Sequence, residues 1–123
     1  MNVNQKIETA LSDMVSGNIW PLNCQLENKP DIFIVYEPEK EIPDDFGDDQ
    51  EGEWIHQMAI TWFARPVSGS GSSMKPVNYI RARKEIREKL EAAGFTMRNI
   101  LPGYEKDTGY TTCIFVCEIA EEL

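Results

Sequence analysis

The sequence predicts an α+β domain of about four mostly antiparallel strands with two main helices packed on one face, in the order α-β-β-α-β-β. Three observations carry that prediction. Two segments repeat apolar residues at the three- and four-residue spacing of a helix. Four segments are rich in β-branched and aromatic residues, two of them strictly alternating. Proline and glycine punctuate the joints between them. At 123 residues the chain is one domain, residues 1–123, large enough to bury a core without disulfides or metal.

The first helix is drawn by Val3, Ile7, Ala10, Leu11 and Met14, with Gly17 as its terminator. It is short, so it depends on packing against a partner. Ile19-Trp20-Pro21 and a polar stretch through Pro30 follow, and the prolines argue against regular structure there. Asp31 to Tyr36, with Ile32, Phe33, Ile34 and Val35 between them, reads as a buried strand. Residues 37–53 read as a long acidic loop or the tip of a hairpin. They hold nine acids against Lys40 alone and are broken by Pro38, Pro43, Gly47 and Gly52.

Trp54 to Phe63 alternates. Trp54, His56, Met58, Ile60 and Trp62 point one way, and Ile55, Gln57, Ala59, Thr61 and Phe63 the other. The stretch around Ser68-Gly69-Ser70-Gly71-Ser72-Ser73 makes residues 67–75 a flexible Gly/Ser loop. The second helix runs from about Pro76 to Ala93, with Tyr79, Ala82, Ile86, Leu90 and Ala93 facing inward and Gly94 at its end. Phe95 to Leu101 is the third strand, closed by Pro102-Gly103. Thr111 to Ile119 is the last, with Cys113, Phe115 and Cys117 on one side and Thr112, Ile114 and Val116 on the other.

Composition removes several function classes. The formal charge is −9, from 21 acids and 12 bases, so the chain is not expected to grip phosphates or to bind nucleic acid specifically. No run approaches the ~18 apolar residues of a membrane span, and the N-terminus has no signal-peptide order. The expected location is a cytoplasm, with no membrane partner. Three cysteines, Cys24, Cys113 and Cys117, close no framework. Cys113 and Cys117 would stand about 13 Å apart on a strand, beyond a disulfide's reach. They read as buried apolar side chains.

The chemical motifs fail one by one. Gly69-x-Gly71 lacks the third glycine of a dinucleotide loop and the Gly-Lys-Ser/Thr of a P-loop. No frame of Asp44 to Glu53 meets the EF-hand spacing. His56 is the only histidine, which leaves a zinc site short of ligands. On an alternating strand it reads as a packed or interface histidine. The expectation is therefore no catalytic residue, no metal and no cofactor: a protein that is not an enzyme.

The linear arrangement adds a resemblance. A short N-terminal helix leads to Ile19-Trp20-Pro21 and to Asp31-Ile32-Phe33-Ile34-Val35-Tyr36. The long strand His56-Gln57-Met58-Ala59-Ile60-Thr61-Trp62-Phe63 comes next. An amphipathic helix ends in Leu90-Glu91-Ala92-Ala93-Gly94-Phe95, and Tyr104-Glu105-Lys106-Asp107-Thr108-Gly109-Tyr110 enters the terminal strand. This layout, over nearly the whole chain, resembles the tail-terminator (tail-completion, head–tail joining) proteins of long-tailed phages and prophages. The acidic 37–53 stretch departs from that family's pattern.

The resemblance implies a structural subunit that forms a ring, commonly of six copies, capping the tail tube and docking it to the head connector. It places the chain in the bacterial host during assembly and in the virion neck afterwards. Head-to-tail contacts close such a ring. Ile55, Gln57, Thr61 and Phe63 are the candidate subunit interface. Asp44, Asp45, Asp48, Asp49 and Glu51 are the candidate lumen or partner loop, where acids would repel passing DNA. Two other classes fit the same layout: another neck or minor capsid component, and a small cellular ligand-binding α+β domain or enzyme.

Overall fold

The computed structural model describes residues 1–44, 53–66 and 78–122. The elements are α1 (Val3–Leu11), a 3-10 turn (Ser12–Val15), β1 (Ile19–Pro21), β2 (Ile32–Asp44), β3 (Glu53–Ala64), α2 (Tyr79–Ala92), β4 (Thr96–Tyr104) and β5 (Thr111–Glu122). The strands form one mixed sheet in the order β1-β2-β3-β5-β4. Only β1 runs parallel to its neighbour β2; the other neighbours are antiparallel.

The predicted class holds, but the strand count rises from four to five. The missed strand is β1, whose Ile19, Trp20 and Pro21 pair with Ile34, Val35 and Tyr36. Three residues are too few to display alternation. A second correction concerns residues 37–53, read as a loop. Those from Glu37 to Asp44 continue β2, in register with Ala59 back to Glu53 on β3. Prolines and charges suggested a loop because they are excluded from central strands. Beyond Tyr36, however, β2 has no partner on its outer side among the described residues. Pro38 and Pro43 can turn their missing N–H outward there without breaking a ladder.

Both helices lie on the same sheet face. Val3, Ile7 and Leu11 of α1 and Ile86 and Leu90 of α2 share one buried cluster with Ile34, Tyr36, Met58, Ile60, Trp62, Cys113, Phe115 and Cys117. Alternation puts all these strand residues on one side. Asn2 caps α1 in a capping box with Gln5. Asn78 caps α2 by accepting from the Arg81 N–H, so α2 starts later than the expected Pro76, which lies outside the described residues. At Gly94 (φ +102°) the chain turns left-handed, and the Phe95 N–H reaches back to the Leu90 carbonyl at 3.0 Å.

The core is chemically quiet. Burial pushes the Cys113 thiol up to about 11 and the Cys117 thiol up to about 12. Both stay protonated and inert at neutral pH. The buried Tyr36 phenol donates to the Glu8 carboxylate. Burial first, and that carboxylate second, raise its pKa well above the usual phenol value. This bond ties α1 to the middle of β2.

Candidate functional site

Among the described residues the opposite face of the sheet carries no helix, and it is built by the other half of the same alternation. The pairing registers align Trp20, Val35, Thr61, Ile114 and Leu101 in one row across all five strands. The next row is Glu37, Ala59, Val116 and Asn99. On the other side come Phe33, Phe63, Thr112 and Gly103. The central row spans roughly 20 Å at ~4.8 Å per strand.

This face has three zones. At one end Phe33 and Phe63 stack at 4.5 Å with 8° between their planes. Tyr110 stands edge-on to both, at 5.5 and 5.8 Å. Trp20 closes the group 6.3 Å from Phe33. The Arg65 guanidinium lies 4.4 Å from the centre of the Tyr110 ring and is held by Asp31 at 2.8 Å. The Tyr110 hydroxyl donates to the Pro30 carbonyl at 2.6 Å. Burial raises the Tyr110 pKa, with Arg65 opposing. This zone is a clasp: it fastens the chain at residues 29–31 to the end of the sheet.

The middle zone is aliphatic. Val35, Ile114 and Val116 are half-buried, and Leu101 is 45% exposed. Antiparallel sheets that face only water alternate apolar inside with polar outside; this face does not. At the far end the surface becomes polar. Gln57 donates to Glu118 at 3.4 Å and Arg98 to Glu118 at 2.9 Å.

The four expected interface residues therefore share this face, but in different settings. Thr61 sits in the aliphatic row. Phe63 spends one ring face on Phe33. Gln57 belongs to the polar end, and Ile55 pairs with Ile42 and Ala120 beyond it. Reading β3 alone missed Val35, Ile114 and Leu101. Cross-strand register, which no single segment encodes, is what assembles them. Of the expected acidic set, Asp45, Asp48, Asp49 and Glu51 lie outside the described residues, and Asp44 closes β2.

His56 is on the helix-bearing face, 17% exposed, between Glu41 (3.8 Å from Nδ1) and Glu121 (3.5 Å from Nε2). Nε2 is buried without a hydrogen-bond partner. The three side chains line a cleft with Asn2 and Asn4 of the α1 N-terminus. Among the described residues no three His, Cys, Asp or Glu side chains are placed to hold a metal. None of the described helices is long and apolar enough to cross a membrane.

No family model matches the chain, and no curated protein matches it in sequence. In three dimensions it is similar to a chain in the virion of a native gene transfer agent particle. The likeness covers 98% of this chain and 92% of that one, with a TM-score of 0.65 and 11% sequence identity. At that identity it is a likeness of fold. It extends over nearly the full length of both chains.

Proposed function

We propose that this protein is a non-catalytic structural component of a phage-like virion, and that it serves at the neck as a tail terminator. Copies would close a ring on the end of the tail tube and join it to the head connector. The observation that carries the first half is the end-to-end likeness to a virion chain. The layout that resembles tail terminators supports the second half. A sheet face with an aliphatic middle, bare of helix among the described residues, supports both, because a subunit whose work is assembly needs apolar surface left over after folding.

Disrupting this gene in a host that makes the particles tests the reading. Negative-stain electron microscopy is expected to show separate heads and tails, with tubes of uncontrolled length. Normal joined particles would contradict the neck role. In the same assay, changing Asp44, Asp45, Asp48, Asp49 and Glu51 to their amides addresses the lumen role of the acidic stretch. Joined particles that deliver DNA at the wild-type level would remove it.

A further inference from the structure

Among the described residues the sheet has two open edges, and they differ in charge. Among the described residues nothing pairs with the outer side of β4, nor with β2 beyond Tyr36. Each open edge carries a one-residue bulge. On β2 the ladder skips Glu39 between Pro38 and Lys40. On β4 it skips Arg98 between Met97 and Asn99. Bulges and charged side chains on edge strands both discourage an added strand from continuing the ladder, which leaves side-chain contacts as the way these edges can dock. Here the two bulge residues are opposite in charge, with Arg98 paired to Glu118 of β5 at 2.9 Å.

The surroundings extend the contrast. Along the β2 edge Glu37, Glu39 and Glu41 are exposed, with Lys40 the one base among them. At the other edge α2 packs over β4 and β5. Residues 79–98 hold six of the chain's 12 bases, Arg81, Arg83, Lys84, Arg87, Lys89 and Arg98, against Glu85, Glu88 and Glu91. The pairs Arg81–Glu85, Lys84–Glu88 and Arg87–Glu91 are exposed i,i+4 contacts, which fix little energy. Arg83 and Lys89 have no carboxylate partner among the described residues.

We infer that a second copy of this chain docks head-to-tail, its basic α2–β4 side against the acidic free half of β2. Symmetric contacts, acid to acid or base to base, repel; only the heterologous pairing attracts. A heterologous contact repeated with rotation closes a ring. The inference rests on the ring reading above and adds to it the pair of surfaces and the sign of each.

Charge reversal tests it on the full chain. One variant carries Glu37→Lys with Glu39→Lys, and a second carries Lys84→Glu with Arg87→Glu. All four residues are exposed or half-exposed side chains outside the core, and circular dichroism verifies folding. In sedimentation velocity at low salt the wild type is expected to self-associate, and salt near 0.5 M to weaken this ~tenfold or more. Each variant alone should associate ~tenfold or more weakly. A one-to-one mixture of the two should recover mixed assemblies, because one variant is basic on both sides and the other acidic on both. Variants that associate like the wild type, or a mixture that recovers nothing, overturn the inference. If those variants still join heads to tails normally, the ring reading survives its loss. A wild type that stays monomeric at every salt and does not enter particles overturns both.

Discussion

Replacing Trp62 by alanine is expected to cost ~3–5 kcal/mol of folding stability, a large share of the ~5–15 kcal/mol typical of a domain. Trp62 is 2% exposed near the C-terminal end of β3, flanked in the ladder by Ile34 and Cys113. Its ring meets Tyr79 edge-on at 6.0 Å, so it also anchors the first residue of α2 to the sheet. Truncation removes transfer energy and leaves a cavity between helix and strand. Should the alanine variant fail to fold, Trp62→Phe preserves a ring and is expected to lose ~1–3 kcal/mol. Urea unfolding measures both. A loss below about 1 kcal/mol for Trp62→Ala would mean that α2 is not held at this point.

The opposite face should behave in the opposite way. Thr61→Asp with Leu101→Asp places two carboxylates in the aliphatic row, where they remain hydrated in the free chain. Folding is expected to lose about 1 kcal/mol. Assembly is expected to lose ~2 kcal/mol or more, ~30-fold in association, because docking would bury unpaired charge. Co-sedimentation with tail tubes reads the second effect and urea unfolding the first. A pair of aspartates that destabilises the fold but leaves docking intact would assign this face to folding alone.

These two predictions divide the alternation that was already readable in β3 and β5. Period-two patterning alone sorts Met58, Ile60 and Trp62 from Ile55, Gln57 and Thr61, and the buried cluster lies on the side it indicates. The helices were equally legible from Ile7 with Leu11 and from Ile86 with Leu90. Two things were not. One is the extent of β2. Pro38, Pro43 and the acids between them have the composition of a loop, and only their place on an open edge makes them compatible with a strand. The other is which residues become neighbours across strands. The stack of Phe33, Phe63 and Tyr110 joins three separate strand ends. It turns Phe63 from an open surface residue into part of a clasp, a contact set by register rather than by local sequence.

The acidic character of the chain changes meaning in the same way. A formal charge of −9 suggests a uniformly acidic surface. Residues 37–53 contribute nine acids and one base, so the remainder is close to neutral. Within the described residues the acids Glu37, Glu39 and Glu41 stand on one sheet edge, while α2 and Arg98 carry bases at the other. The charge is polar, not global. A polar distribution favours directional association over mere solubility.

The proposed ring of copies on the tail tube can be looked for in vitro. Incubating purified tail tubes with the full chain and imaging their ends by electron microscopy tests it most directly. A closed ring of copies is expected at one end of each tube, with an opening on the tube axis. Tubes with bare ends, or copies bound singly along the tube wall, would contradict it.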